Sequence, residues 1–129
     1  MKEMYPETVI EQFVYESEEW RRLMAFLKQE NVFYKSRLAE VVNTAEDEDV
    51  LLAAERFQED FLSQDRMVEF LSAELNKQTK LLQKDNYVDG EIFRNLVQSQ
   101  KRLRDDIQKA EEFFSKTKTE FAHYLVELF

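Results

Sequence analysis

Cysteine is absent from this chain of 129 residues, and glycine, proline and histidine occur once each. Without cysteine there is no disulfide framework, no thiolate nucleophile and no thiolate metal site. That composition suits a reducing compartment, and the cytoplasm is the expected location. One glycine and one proline leave too few turn formers for sheets, which reverse direction every few residues, so an all-β fold is excluded. No apolar run approaches the ~20 residues that a membrane span needs. The opening MKEMYPETVIEQF has no long apolar core and no small-residue cleavage site, so no signal peptide is expected. Positive charge is also short, with 18 basic against 27 acidic residues for a net −9. Such a chain is repelled by phosphate backbones and by anionic membrane surfaces, so neither nucleic acid nor membrane is an expected partner.

What the chain does contain is 43% hydrophobic and 35% charged residues, the mixture of amphipathic helices. Its length suits a single domain spanning residues 1–129. The few helix breakers divide it into three. Pro6 before Glu7 suits a first helical turn. Asn43-Thr44 precedes AEDED, where Thr44 is the expected cap and the acids sit at the favourable end of the helix dipole. KDNYVDGE holds the glycine, with Asp89 as the expected cap of the last helix. The spans predicted are roughly 7–43, 46–84 and 90–128, each about 55 Å long at ~1.5 Å per residue.

A seven-residue repeat runs through each span. In the first, Phe13, Trp20, Leu27, Tyr34 and Val41 alternate with Ile10, Ser17, Met24, Asn31, Leu38 and Ala45. In the second, Ala54, Phe61, Val68, Leu75 and Leu82 alternate with Val50, Phe57, Gln64, Leu71 and Gln78. In the third, Phe93, Gln100, Ile107, Phe114, Phe121 and Leu128 alternate with Leu96, Leu103, Ala110, Thr117 and Tyr124. The prediction is an all-α, antiparallel up-down-up bundle of three long, heptad-patterned helices with coiled-coil-like packing. A core tryptophan in the first of three heptad helices resembles spectrin-type repeats, a likeness of one period and one residue that carries no function over.

A tight first turn sets Trp20 against Leu75, Leu27 against Val68 and Tyr34 against Phe61. It also aligns the polar intruders, Asn31 with Gln64 and Ser17 with Gln78. A one-heptad slip preserves the apolar seams but parts those pairs, so they are expected to specify register unless Ser17 and Gln78 lie at a wet bundle end.

Candidate chemistry is sparse. Glu120-Phe121-Ala122-His123 has the Glu-x-x-His spacing of carboxylate-bridged di-metal bundles, which need two inward-facing copies and two further carboxylates. This chain has one histidine, and the heptad turns His123 outward. Glu40 and Glu55, at similar height, also point outward. A metal site or an enzyme would therefore need Glu120 and His123 from two chains across a dimer; no catalytic residue, cofactor or metal is expected within one. AEDEDV lacks the glycine and the later glutamate of a calcium loop.

Two surface features exceed what a bundle needs. Leu23, Phe26, Phe33, Met67, Phe70 and Phe113 fall outside the core positions near mid-bundle, and are the expected protein interface for a homodimer or a partner helix. Arg21, Arg22, Lys77, Lys80, Lys101, Arg102 and Arg104 fall at one height, interspersed with acids that would pair them. The functional expectation is a non-enzymatic helical interaction module: an adaptor, scaffold or assembly subunit presenting helix faces to a protein partner or to itself.

Overall fold

The computed structural model describes residues 6–84 and 90–129. They form three helices, α1 (Pro6–Thr44), α2 (Glu48–Leu82) and α3 (Gly90–Leu128). The divisions fall where the sparse breakers put them, but the capping differs from expectation. Helix α1 continues through Thr44, whose hydroxyl bonds back to the Glu40 carbonyl at 3.0 Å. A hydroxyl engaged with the preceding turn cannot cap the next helix. Asp47 does so instead, its carboxylate accepting from the Asp49 N–H at 2.8 Å. Glu48 and Asp49 follow in the first turn, where the helix dipole favours acids. The expected cap at Asp89 lies outside the described residues.

The contacts fix the topology. Lys35 meets Asp65 and Arg21 meets Thr79, so rising numbers on α1 face falling numbers on α2. Gln64 meets Thr117 and Gln78 meets Gln100, so α2 and α3 are likewise antiparallel. Glu16 meets Arg104 and Glu30 meets Lys118, which makes α1 and α3 parallel. The bundle is therefore up-down-up. The approach of α1 to α3 is the loosest of the three and is bridged mainly by long side chains.

Three apolar clusters occupy the core in sequence along its axis. Val9, Ile10, Phe13, Leu82 and Leu96 form one end. Met24, Leu27, Val68, Leu71, Leu75, Leu103, Ile107, Ala110 and Phe114 form the middle, with Trp20, Leu23 and Met67 packed on its rim. Leu38, Ala54, Phe57, Phe61 and Phe121 form the other end, ringed by Tyr34, Tyr124 and Leu125. Tyr34 stacks on Phe61 at 5.8 Å, the pair that the predicted register requires. In α2 the buried residues, from Ala54 to Leu82, succeed one another at alternating spacings of three and four.

Two polar layers separate these clusters, each drawing one residue from every helix. Ser17, Gln78 and Gln100 form one, and Asn31, Gln64 and Thr117 the other; all six are buried. The predicted pairings are corrected here. Gln64 does not bond to Asn31: its amide donates to Thr117 Oγ1 at 2.9 Å. Asn31 donates to the Phe61 carbonyl and to Asp65, both at 2.7 Å. Gln78 does not reach Ser17 directly: it donates to Gln100 Oε1 at 3.1 Å, and Gln100 in turn donates to Ser17 Oγ at 3.4 Å. Nor is this layer a wet bundle end, because the Val9–Leu96 cluster lies beyond it. A pairwise view of two helices could not supply the α3 partners of Gln64 and Gln78; Asn31 bonds within the α1–α2 pair, and its Oδ1 is buried without a hydrogen-bond partner among the described residues.

Candidate functional site

The polar layers reach the surface through two charged groups. Glu16 flanks the loose α1–α3 seam and receives a bidentate contact from Arg104, at 2.7 and 2.8 Å. The same carboxylate accepts from the buried Gln100 at 2.9 Å. Burial works to raise the Glu16 carboxyl, but the bonds from Arg104 and Gln100 and the arginine charge outweigh it and hold it below its ordinary value. Arg104 also stands over the Trp20 ring, 6.0 Å from its centre. On the α1–α2 side, Asp65 accepts from Asn31 and from Lys35, the latter at 2.6 Å. Burial again opposes ionisation, and the two bonds and the nearby lysines again overcome it, so this carboxyl too is lowered. In both networks the carboxylate charge is paired, with Arg104 or with Lys35, while Asn31 Oδ1 is buried without a hydrogen-bond partner among the described residues.

The metal candidate finds no such convergence. Glu120 and His123 are both exposed, as are Glu40 and Glu55. The face around His123 is a shallow surface with Ser115, Lys118, Thr119, Ala122 and Val126. Among the described residues no three histidine, cysteine, aspartate or glutamate side chains come together to hold an ion. Glu120 instead acts on Asp60 of α2, whose carboxyl is raised first by burial and then by the Glu120 charge. Also among the described residues, no helix is long and apolar enough to cross a membrane.

The basic residues are largely spent within the bundle. Arg22 pairs with Glu19, Lys77 with Glu74 and Arg104 with Glu16, while Arg21 donates to Thr79 Oγ1 at 3.1 Å. Lys80, Lys101 and Arg102 stand exposed.

The six expected interface residues separate into two groups. Phe26, Phe33 and Phe70 are 56%, 60% and 59% exposed, an unusual state for phenylalanine. Leu23, Met67 and Phe113 are half-buried, the first two packing on the central core. Leu23 lies seven residues from both Glu16 and Glu30, the two glutamates that bind α3. Phe26 and Phe33 lie one step further outward on that flank of α1. Phe70, by contrast, lines a cleft between α2 and α3 with Glu74, Leu81, Leu103 and Asp106. Met67 and Phe113 share helix faces with those residues. The outer surface of α3 lies between the two groups.

The phenylalanines of α1 belong to a longer feature that a search for aromatics alone overlooks. Between Arg22 and Arg37, the outward positions of α1 are Ala25, Phe26, Gln29, Val32, Phe33 and Ser36, all exposed and none charged. The three charged residues in that interval turn to neighbouring helices: Lys28 lines the α1–α2 cleft, Glu30 meets Lys118, and Lys35 meets Asp65. The signal was legible as a gap in charge at helical spacing, in a chain where 35% of residues are charged.

Compared with protein families, with curated proteins and with solved structures, the chain shows no match.

Proposed function

We propose that this protein is a non-enzymatic helical interaction module, an adaptor, scaffold or assembly subunit that works by presenting a helix face to another protein or to a second copy. The observation that carries this reading is the uncharged outer face of mid-α1, with Phe26 and Phe33 more than half exposed. Solvating large apolar side chains forgoes about 1.5–3 kcal/mol each relative to burying them. Their presence on the outside of a helix whose inner face is already packed favours a second, intermolecular contact. Left-handed, coiled-coil-like supercoiling belongs to the same reading, and the alternating three-four spacing of buried residues in α2 supports it. A supercoiled bundle would keep α1 straight enough to offer one continuous ridge.

The test is affinity capture with the intact chain and with the Phe26→Glu/Phe33→Glu variant, read by quantitative mass spectrometry alongside the mass in solution. The variant is expected to lose a defined protein, a second copy of the chain included. If both baits hold the same proteins and have the same mass in solution, the module reading fails.

A further inference from the structure

Among the described residues, one buried side-chain atom is left without a hydrogen-bond partner, Asn31 Oδ1. The other arm of the same amide is fully used. Its nitrogen donates to the Phe61 carbonyl and to Asp65, both at 2.7 Å. Turning the amide over is no remedy, because the oxygen would then face a carbonyl and a carboxylate, and neither can donate. Buried acceptors are satisfied in the great majority of cases, by protein or by ordered water, so Oδ1 calls for a donor. The same polar layer holds an unused one. Thr117 Oγ1 accepts from Gln64 at 2.9 Å, but its own hydroxyl proton meets no acceptor among the described residues.

The two groups stand level on α1 and α3, since Glu30, next to Asn31, meets Lys118, next to Thr117. They do not bond to each other, and the other polar layer shows why. The α1–α3 seam is the loosest in the bundle. In the layer of Ser17, Gln78 and Gln100, α3 contributes a glutamine long enough to span it. Gln100 donates across to Glu16 at 2.9 Å, and to Ser17 and the Phe13 carbonyl at 3.4 Å. In the layer of Asn31, Gln64 and Thr117, α3 contributes the much shorter threonine, and the asparagine of α1 spends its nitrogen on α2. An acceptor and a donor are thus left on opposite sides of the widest seam.

We propose that this layer is a binding site for one internal water molecule, which donates to Asn31 Oδ1 and accepts from the Thr117 hydroxyl. The pair of groups selects the ligand: it must be neutral, must donate and accept at once, and must be the smallest molecule that does both. The site is closed to solvent. Asn31, Gln64 and Thr117 are 0%, 1% and 2% exposed, and apolar clusters lie on either side along the axis. The water is therefore long-lived, exchanging when the bundle opens locally. It gives this layer the α1–α3 link that Gln100 makes directly in the other. Gln64 bonds to the Thr117 oxygen and not to the water, so both bonds of the water survive replacement of Gln64.

Magnetic relaxation dispersion of the water nuclei counts molecules held far longer than surface water, and is the test. Thr117→Val keeps nearly the same shape and removes the hydroxyl. It is expected to hold one long-lived water fewer than the intact chain, with helicity unchanged by circular dichroism. Thr117→Ser retains the hydroxyl and is expected to keep the full count, as is Ser17→Ala in the layer that glutamines close. A crystal structure of the intact chain, which needs no variant to fold, is expected to show a water within hydrogen-bond distance of both Asn31 Oδ1 and Thr117 Oγ1. An intact chain with no long-lived water refutes the proposal, as does a folded Thr117→Val variant with an unchanged count. A crystal structure in which Thr117 donates directly to Asn31 Oδ1, or in which no water touches that oxygen, refutes it equally.

Discussion

Replacing Gln100 by leucine tests whether the polar layers are part of the fold's energetics. Gln100 is fully buried and bonded on both sides of its amide. Its oxygen accepts from Gln78 at 3.1 Å, and its nitrogen donates to Glu16 at 2.9 Å. Leucine has nearly the same volume, so neither a cavity nor overpacking follows. Exchanging the glutamine's own bonds for apolar packing is close to neutral, and the groups left behind set the cost. Gln78 keeps its bond to the Leu96 carbonyl at 3.0 Å but strands its other N–H. Glu16 keeps both Arg104 bonds, so its loss is smaller. One orphaned buried donor costs about 1–3 kcal/mol, and the expected loss is about 2 kcal/mol. In a chain of this size that lowers Tm by roughly 6–10 °C, followed by circular dichroism during heating. The sharper part of the expectation is the double variant. Gln78→Leu/Gln100→Leu removes the orphan and should be more stable than Gln100→Leu alone, although it changes one residue more. A single variant as stable as the parent, or a double variant that loses the sum of two single losses, would refute the reasoning.

Three further outcomes follow from the same structure. Asn31 and Gln64 bond to different partners, so a double-mutant cycle with Asn31→Leu and Gln64→Leu should give a coupling of less than about 0.5 kcal/mol by urea unfolding, whereas Asn31→Leu with Asp65→Asn should couple clearly. Glu16 and Asp65 both have lowered folded values, so each contributes stability that is full above its ordinary value, 4.5 and 3.8 respectively, and lost as pH falls through the lowered one. An acid titration of stability should therefore decline below about pH 4.5, and Glu16→Gln with Asp65→Asn should flatten that decline; an unchanged acid limb would count against it. His123→Ala should leave both the melting temperature and the metal content of the purified protein unchanged, as checked by heating and by elemental analysis.

The number of helices, their divisions and their inward faces were legible in the chain because each rests on local information. Breakers are so rare that Pro6 and Gly90 mark helix starts by themselves, and a seven-residue period records which side of a helix faces inward. Tyr34 against Phe61 followed from the shortness of the first turn. The cap at Asp47 did not follow: Thr44 and Asp47 are both good caps, and the choice depended on whether the Thr44 hydroxyl would bond back into α1. The outward charge gap on α1 was also written in the sequence. The folded chain adds that Lys28, Glu30 and Lys35 turn toward α2 and α3, which leaves the gap facing outward.

What only the tertiary structure decided is which polar groups meet and which exposed aromatics share a face. A heptad position says that Gln100 and Thr117 are inside, but an amide's partner depends on azimuth and height on two other helices at once. Pairing α1 with α2 alone therefore matched Asn31 to Gln64 and Ser17 to Gln78, where in the folded chain Gln64 and Gln78 bond to α3 and Asn31 bonds to Phe61 and Asp65. For the same reason Phe26 and Phe33 fall on one flank of the bundle and Phe70 on another, although all three read as outward. Periodicity encodes direction relative to a helix's own axis; the arrangement of three axes around a common core turns that direction into neighbours.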